Sequence, residues 1–529
     1  MQASAGPELL RDWIARAARR CPDKTWLVSA EDGRTVSYRQ LHDTVGRFAM
    51  FLRQRGLGRN DRVALLANNS IEHLLCYFGV MAAGATVCTV HIEMNRNQLG
   101  NIFERLKPRL ILCQDGLQLD ELLAATTVPQ LRIGRWDKPD ADTLFAGLAR
   151  LAPSEPPPPY PSPQAREAAE AAGPEDDAII LFTSGTSATP KGVILNFREY
   201  LSNIDPLAEG FGITADDRLY DFRPFSWNSA QTLGALTVVN RSATLVLSEK
   251  FSARRFFQHL RDYDVTIATG NPTTINILLN SEQTWQGQTW HRDSLPKLRF
   301  ITSSSAPLLL EEWKRFEQKF GIPVAQGCGA SEVSWIAAIP GERRRLGKVG
   351  RPLAYHDLAI VDAEGRRRPA GEIGYVELGG LGDRHPYRYL GDDGEVKTHS
   401  RGRFRTGDLG SLDADGFLTL SGREKELIIR GGAKISPVEI DSFLMQHADV
   451  IEAATIGVPD NIYGEEVMSY VVARPGSSVD ADALLRYCAG ALPAFKAPKR
   501  IVLSDSLPKT DRGKLDRRAL AERWRHDTG

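Results

Sequence analysis

The residues best suited to chemistry lie in a short segment, Thr183–Gly192, which is rich in hydroxyl groups and small side chains and contains one lysine. It directly follows the apolar run Ala178–Phe182, which predicts a strand ahead of it. Small side chains leave backbone N–H groups accessible, and the hydroxyls and the lysine add donors and a positive charge, a combination that suits a polyphosphate. The segment is not a Walker A loop, because Pro190 replaces that motif's second glycine and Gly192 replaces its Mg²⁺-binding hydroxyl. Taken alone, it would also fit a flexible surface turn.

Two further segments each place a carboxylate beside a glycine-containing turn. Gln326–Glu332 follows a short apolar run, and Glu332 could supply the Mg²⁺ ligand that the first segment lacks. Asp408, in Phe404–Leu409, is suited to accept hydrogen bonds from the two hydroxyls of a ribose. Considered singly, Glu332 also fits a solvated turn residue, and Asp408 fits the cap of a hairpin turn.

Two lysine-containing segments lie in the last quarter of the chain. Gly422–Gly432 stands where a C-terminal domain would begin, and Leu507–Arg517 near the end contains Lys514. A single lysine in such a segment would ordinarily be a solvated surface charge.

The elements that must position these residues alternate between helical and strand-like patterns. Tyr38–Arg55 has apolar residues at helical spacing, a short apolar run follows, and Ile71–Ala83 predicts a second helix. Strand, helix and strand in this order predict parallel βαβ units, and the same alternation resumes after Ala178. Past Ala354 the pattern changes to short strands bounded by glycine and aspartate, which predicts a β-rich subdomain.

The predicted fold class is therefore α/β, with a large N-terminal domain of βαβ subdomains and a small, mobile α+β C-terminal domain. The predicted bounds are 1–424 for the N-terminal domain, with the β-rich subdomain at about 354–424, and 425–529 for the C-terminal domain. The proline-rich segment Pro153–Pro174 is interpreted as a surface excursion within the large domain.

Composition narrows the functional classes. The 529 residues carry equal numbers of basic and acidic side chains, 66 of each, so no overall positive field attracts nucleic acid, and none is expected as a partner. The six cysteines are scattered without metal-ligand spacing. No apolar run is long enough to cross a bilayer, and the N-terminus has no signal-peptide core. A soluble cytoplasmic protein without a membrane span is the expectation.

Together, the five segments resemble those of the adenylate-forming superfamily, which comprises acyl-CoA synthetases, adenylation domains of peptide synthetases and beetle luciferases. The layout is most similar to stand-alone acyl- or aryl-CoA ligases. The resemblance implies that ATP and Mg²⁺ activate a small carboxylic acid as its acyl-adenylate, with release of pyrophosphate, before CoA accepts the acyl group. Two alternatives remain open: transfer to a carrier protein or directly to an amine, and an ATP-binding pseudoenzyme without catalysis.

The resemblance also implies roles for individual residues. Lys514 would contact both the attacking carboxylate and the α-phosphate, Glu332 beside Ser331 would bind Mg²⁺, and Lys425 would be the hinge between the domains. The residues expected to bind the nucleotide or CoA are Thr183, Ser184, Gly185, Thr186, Ser187, Thr189, Lys191, Ser304, Ser305, Ala306, Cys328, Asp408, Arg423, Gly431 and Gly432. Gly431 and Gly432 belong to this group because they would line a tunnel for pantetheine.

The expected acyl pocket combines aromatic and small polar residues. Asn228 stands where amino-acid-activating relatives have an aspartate, and a neutral amide cannot replace a buried partner for an ammonium group. This favours an acid other than an amino acid, either aromatic or of medium length and apolar. For Trp227, plain core packing is an equally good interpretation. The pocket candidates are Trp227, Asn228, Thr273, Gly329 and Trp335.

The chain departs from the family pattern at four places, none of which removes a charged catalytic residue. Cys328 replaces the aromatic residue that usually packs on adenine, so the stacking contact is expected to be weaker or replaced. Ser304 and Ser305 replace two glycines. Ala188 replaces another glycine, and Ser331 replaces a threonine.

Overall fold

The computed structural model describes residues 9–151, 172–183, 191–285, 287–379, 388–398, 403–510 and 514–528. Short 3₁₀ turns lie at Arg292–Ser294, Gly341–Arg343 and Glu424–Glu426, and a π-helix lies at Ala230–Leu236. The α-helices of the described chain are α1 (Leu10–Arg20), α2 (Tyr38–Gln54), α3 (Ile71–Ala83), α4 (Arg96–Leu106), α5 (Asp120–Ala124), α6 (Leu144–Ala149), α7 (Phe197–Ser202), α8 (Ile204–Phe211), α9 (Thr237–Arg241), α10 (Ala253–Asp262), α11 (Pro272–Asn280), α12 (Leu310–Phe320), α13 (Pro437–Leu444), α14 (Ala481–Ala489) and α15 (Arg517–Thr528).

The strands are short in the first two thirds of the chain and longest near its end. They are β1 (Thr25–Ser29), β2 (Thr35–Ser37), β3 (Arg62–Leu66), β4 (Thr86–Thr89), β5 (Leu110–Cys113), β6 (Gln130–Arg132), β7 (Asp177–Thr183), β8 (Lys191–Asn196), β9 (Arg218–Asp221), β10 (Thr244–Leu247), β11 (Ile267–Ala268), β12 (Thr284–Trp285), β13 (Gln288–Thr289), β14 (Phe300–Ser303), β15 (Val324–Gln326), β16 (Cys328–Ala330), β17 (Ser334–Ala338), β18 (Arg351–Pro352), β19 (Asp357–Val361), β20 (Gly374–Gly379), β21 (Arg388–Leu390), β22 (Val396–Thr398), β23 (Phe404–Leu412), β24 (Leu418–Arg423), β25 (Ile428–Arg430), β26 (Ala433–Ile435), β27 (Val450–Asp460), β28 (Gly464–Ala473) and β29 (Arg500–Leu503).

Two large sheets organise the N-terminal part. One has the strand order β15-β14-β11-β9-β10-β1-β2 and is parallel except where β2 pairs with β1. The other has the order β22-β21-β8-β7-β4-β3-β5-β6 and is parallel from β7 to β6. Helices connect the parallel strands, as in the predicted βαβ units, so this part of the prediction is confirmed.

The later part of the chain is built from antiparallel strands, except that β29 runs parallel to β28. The sheet β19-β20-β23-β24 forms the predicted β-rich subdomain, and the strand order β26-β25-β28-β27, with β29 beside β28, forms the C-terminal sheet. The C-terminal sheet has apolar clusters of its own on its two faces, one around Ile440 and Leu484 and the other around Tyr470 and Leu520. The expected fold class, with a small C-terminal domain, is confirmed, while the boundary between residues 424 and 425 stays a prediction.

The segment Thr183–Gly192, here called the polyphosphate segment, follows the strand that the sequence predicts, β7. Thr183 is the last residue of β7, Lys191 is the first residue of β8, and the two are cross-strand partners in an antiparallel pair. The segment therefore joins two antiparallel strands of one sheet. Most of Pro153–Pro174 lies outside the described residues.

Helix α3 shows how closely the N-terminal core is packed. Each of its residues is buried, the Ser70 hydroxyl accepts from the His73 N–H at its start, and Gly84, with φ 88°, ends it in the left-handed conformation. A Cβ atom built on Gly79 of α3 would lie 2.3 Å from Cγ of Phe48 on α2. The glycine is therefore required for the close approach of α2 and α3.

We expect Gly79→Ala to lower the free energy of unfolding by about 1–3 kcal/mol, because a methyl group would overpack the contact with Phe48. Gly100→Ala on α4 is the matched control, because a Cβ atom there meets nothing within 4 Å. The control should be neutral or stabilising by up to about 1 kcal/mol, as alanine is the better helix former. Chemical denaturation followed by circular dichroism measures both variants, and equal free energies of unfolding would contradict the packing argument.

Candidate active site

The predicted ribose carboxylate is held by a cross-strand partner. Asp408 on β23 lies opposite Arg423 on β24, and Nε of Arg423 is 2.9 Å from Oδ1 of Asp408. The N–H of Asp408 also donates to the Thr406 hydroxyl at 3.0 Å. Burial raises the pKa of the Asp408 carboxyl, whereas the positive charges of Arg423 and Lys514 act in the opposite direction.

Lys514 therefore acts on the carboxylate that sequence reasoning assigned to the same site, although 106 positions separate them in the chain. The backbone places it through a tight local structure. Lys509 and Leu515 form an antiparallel bridge, the Thr510 N–H donates to the Lys514 carbonyl at 2.7 Å, and the Lys514 N–H donates to the Thr510 hydroxyl at 3.2 Å. We call this structure, through Lys509, Thr510, Lys514 and Leu515, the lysine hairpin.

A cluster of positive charge surrounds Asp408. Lys425 lies in the 3₁₀ turn after β24, and burial lowers its pKa, as do the nearby charges of Arg423 and Lys191, whereas Asp408 raises it. Lys191 belongs to the polyphosphate segment, so the structure brings this residue of the segment near the predicted hinge, Lys425, and the predicted ribose carboxylate. Mutually repelling cations gathered in this way are suited to bind a polyanion.

Glu332 lies in the turn between β16 and β17, next to Ser331, and both residues are half-buried. The Tyr389 hydroxyl donates to Oε1 of Glu332 at 3.3 Å. Nζ of Lys191 lies 5.9 Å from the centroid of the same tyrosine ring. Tyr389 thereby links the predicted metal ligand to the lysine of the polyphosphate segment.

Sequence reasoning missed Tyr389, and nothing in its local sequence indicates a role. It lies on β21, whose residues are about two hundred positions from their partners on β8, and only sheet pairing brings them together. Arg388 next to it donates to Oδ1 of Asp177 at 2.5 Å and so ties β21 to β7.

The predicted adenine side is formed by the ends of β14 and β15. Ser304 is buried, and the Gln326 side chain accepts from the Leu308 N–H at 3.1 Å, which fixes the turn through Ser305 and Ala306. Cys328 begins β16, and burial raises the pKa of its thiol, with the charge of Asp408 adding to the effect. Asp408 and Cys328 thus lie within electrostatic range of each other, as a shared nucleotide site requires.

The acyl-pocket candidates are held by hydrogen bonds around the π-helix Ala230–Leu236. The Asn228 amide donates to the Ser334 hydroxyl at 3.2 Å. The Trp335 indole donates to the Thr232 hydroxyl at 2.8 Å. Trp335 is only 2% exposed and belongs to the main apolar core, and Trp227 packs edge-on against His91 with ring centroids 6.3 Å apart.

The backbone at Gly329 leaves no room for a side chain, because a Cβ atom there would lie 2.3 Å from the Ser334 carbonyl oxygen. Thr273 is half-buried in the first turn of α11. π-Helices often mark functional sites, which agrees with a pocket at this place. The assignment of these residues to an acyl pocket stays a prediction.

Gly431 and Gly432 are not brought to the site. They have φ 55° and 84° and form the exposed turn between β25 and β26, where the nearest side chain to a Cβ on Gly431 is Tyr463. Another predicted group, Ser184, Gly185, Thr186, Ser187 and Thr189, lies outside the described residues.

Within the described residues, no cluster of three or more histidine, cysteine, aspartate or glutamate side chains could hold a metal ion. No helix among these residues is both long and apolar enough to cross a membrane.

Comparison with known proteins agrees with this geometry. The sequence matches the family described as "AMP-binding enzyme" over residues 14–382 and its "AMP-binding enzyme C-terminal domain" over residues 439–514. It is 33% identical to the sulfoacetate–CoA ligase of Cupriavidus necator over 98% of this chain and 99% of that protein. It is 30% identical to the oxalate–CoA ligase of Arabidopsis thaliana over 98% of this chain and 99% of that protein.

Among solved structures, ATP-bound MatB from Rhodopseudomonas palustris matches with a TM-score of 0.83 and 26% identity, over 98% of this chain and 99% of that chain.

Ser305 offers a test of whether backbone conformation determines the stability of the turn through Ser305 and Ala306. Its φ of 76° lies in the left-handed region, where a β-branched residue is more strained than serine and glycine is not strained. We expect Ser305→Val to lower the free energy of unfolding by about 1–3 kcal/mol and Ser305→Gly to leave it nearly unchanged. Chemical denaturation compares the two variants, and an equal effect of valine and glycine would show that backbone strain does not govern this turn.

Proposed function

The chain belongs to the AMP-binding enzyme family, and we propose that it is an acid–thiol ligase that uses the site around Asp408 and Lys514. It activates a carboxylic acid with ATP to give the acyl-adenylate and pyrophosphate. It then transfers the acyl group to CoA, giving an acyl-CoA thioester and AMP.

One observation carries the residue assignment: the charge of Lys514 acts on Asp408, which is paired with Arg423. Asp408 accepts from the ribose hydroxyls, so the α-phosphate attached to that ribose lies close to the lysine hairpin. The attacking carboxylate and the triphosphate repel each other, and a fixed cation between them stabilises the charge that moves in the transition state. Holding both reactants in line supplies a further part of the rate.

The polyphosphate segment and Glu332 complete the nucleotide site. Lys191 and the hydroxyls around it bind the β- and γ-phosphates. Glu332 fits Mg²⁺, because this ion prefers one or two carboxylates together with substrate phosphates over a cage made only of protein ligands. Bound there, Mg²⁺ would neutralise phosphate charge, and the Tyr389 hydroxyl holds the carboxylate of Glu332 in position.

The domains alternate between two arrangements in this proposal. Residues 1–424 carry the acid and nucleotide sites, residues 425–529 form the moving part, and Lys425 is the hinge. After adenylation, a rotation at Lys425 removes Lys514 and brings the turn at Gly431 and Gly432 to the site, where residues without side chains leave room for pantetheine.

The identity of the acid is the open part of the proposal. The relatives named above act on sulfoacetate and on oxalate, short acids with a second anionic group. The Asn228 argument instead favours an aromatic or apolar acid. A panel of sulfoacetate, oxalate, indoleacetate, benzoate and hexanoate, followed by pyrophosphate release, separates these classes, and sulfoacetate and oxalate are tested first.

A carrier protein or an amine in place of CoA is the alternative acceptor. Mass spectrometry of the product formed with CoA or with amines decides between a thioester and an amide. The expected cytoplasmic location stays a prediction.

We expect Lys514→Ala to slow adenylation, measured by ATP–pyrophosphate exchange, by about 10²-fold or more, because it removes the cation between the two anions. Thioester formation from supplied acyl-adenylate should be largely spared, since Lys514 has left the site by then. Lys499→Ala, an exposed lysine of the same domain, is the control and should leave both half-reactions unchanged. Equal losses in both half-reactions of Lys514→Ala would contradict the domain rotation.

Glu332→Gln keeps the size of the side chain and its bond to Tyr389 but removes the negative charge. We expect the Mg²⁺ concentration for half-maximal adenylation to rise about tenfold or more, because a neutral amide is a poorer ligand for a hard cation. Titration of the exchange rate with Mg²⁺ measures this. An unchanged metal dependence would exclude Glu332 as a ligand.

A further inference from the structure

The two parts of the chain meet away from the nucleotide site as well as at it. Leu309, just before α12, packs against the apolar cluster of the C-terminal sheet. The Lys434 ammonium donates to the Tyr375 hydroxyl at 3.4 Å across the boundary. The first turn of α12 therefore forms a docking surface for the C-terminal part.

Glu312 in this turn is an unusual residue for such a surface, since it is an acid that is only 7% exposed. The Asn276 amide of α11 donates to its Oε1 at 2.7 Å. Two charges from the C-terminal part act on it, the negative charge of Glu452 and the positive charge of Lys509. Glu312 is thus buried where the two parts of the chain face each other.

Lys509 and Glu452 form an ion pair with a Nζ–Oε2 distance of 2.8 Å. Glu452 is on β27, and Lys509 begins the lysine hairpin by pairing with Leu515. The base of the hairpin is thereby attached to the C-terminal sheet at the point that faces Glu312. A shift of this base moves Lys514 with it, because hydrogen bonds between Thr510 and Lys514 connect the two ends of the hairpin.

We propose that Asn276, Glu312, Glu452 and Lys509, here named the latch cluster, position the lysine hairpin for adenylation by fixing how the C-terminal part docks on α11 and α12. They are positioning residues, since none of them is assigned to a substrate. The inference rests on the proposed role of Lys514. It adds residues that act on the first half-reaction alone, because the latch cluster is separated when the domain rotates.

The latch cluster also makes docking depend on pH. Burial raises the pKa of the Glu312 carboxyl to about 7, and Glu452 adds to this, whereas the hydrogen bond from Asn276 and the charges of Lys509 and Arg315 oppose it. Glu311 on α12 and Arg474 of the C-terminal part act on Arg315.

When the domains separate, the carboxyl regains water and its pKa returns toward the ordinary value of 4.5. Between pH 4.5 and about pH 7, the docked arrangement therefore binds more protons than the separated arrangement does. This contribution favours docking at low pH and is lost as the pH rises to about 7.

The first experiment compares Lys509→Met with Lys496→Met, a lysine of the same domain that pairs with Glu439 at 2.7 Å. The probe is the panel acid with the fastest pyrophosphate exchange, together with its synthetic adenylate. We expect Lys509→Met to slow adenylation about two- to fivefold, the range for a partly exposed ion pair, and to leave thioester formation unchanged. The control should alter neither. Equal slowing of both half-reactions, or none, would overturn the proposal.

The second experiment measures how the adenylation rate of Lys509→Met depends on pH. A purely structural role of Lys509 would not alter this dependence. The loss in Lys509→Met should be greater at pH 8 than at pH 6, because an ionised Glu312 then faces Glu452 without its cation. In the double variant Lys509→Met/Glu312→Gln this difference between the two pH values should disappear. A loss with the same pH dependence in the single and double variants would refute a part for Glu312.

Hydrogen exchange separates the failure of this inference from the failure of the proposed function. Amides of residues 305–316 report docking without any chemistry, and in Lys509→Met they should exchange faster than in the wild type or in Lys496→Met. If no panel acid releases pyrophosphate but this exchange still rises, the proposed function fails while the docking contact made by the latch cluster stands. If Lys514→Ala abolishes adenylation but neither exchange nor rate responds to Lys509→Met, the latch is wrong and the function stands.

Discussion

Electrostatic repulsion between a carboxylate and a triphosphate is the constraint on which the arrangement of this chain depends. In the proposed site this repulsion is offset by Lys191, Arg423, Lys425 and Lys514, which lie near one another and near the carboxylate of Asp408. These cations come from three separate parts of the sequence, so each would be a solvated surface charge without the fold. Binding of a polyanion relieves their mutual repulsion, so the cluster favours the nucleotide.

In the proposed mechanism the same site serves both half-reactions, and this explains why it is divided between two parts of the chain. Each part has its own apolar core, so neither depends on the other for its packing. Contacts across the boundary among the described residues include Leu309 against the C-terminal cluster, Leu427 against an apolar cluster of the β-rich subdomain, and the hydrogen bond from Lys434 to Tyr375. A larger apolar interface would hold the domains together too firmly for rotation, and a boundary without fixed contacts would leave Lys514 misplaced for adenylation.

The sequence allowed prediction of those features whose evidence is local. Asp408 and Arg423 belong to ordered motifs, and the spacing of hydrophobic residues located helix Ile71–Ala83 with the same bounds as the structure. Tyr389 could not be predicted, because only the pairing of β21 with β8 brings it to Glu332. The role of Glu312 could not be predicted either, because an acidic residue in the first turn of a helix is common and interacts favourably with the helix dipole. Its burial accompanies a hydrogen bond from Asn276 of α11, a contact that no local pattern contains.

Asp408 connects the position of the C-terminal part to the proposed binding of the nucleotide. Burial raises its pKa, and the charge of Lys514 is one of the influences that keep the carboxylate ionised. In the proposed rotation, Lys514 withdraws and one of the positive charges that stabilise the ionised carboxylate is lost, whereas Arg423 and Lys425 remain. On the proposed mechanism, the rotation that admits CoA would therefore also weaken the binding of AMP, so that Lys514 would promote the first half-reaction by its presence and product release by its absence.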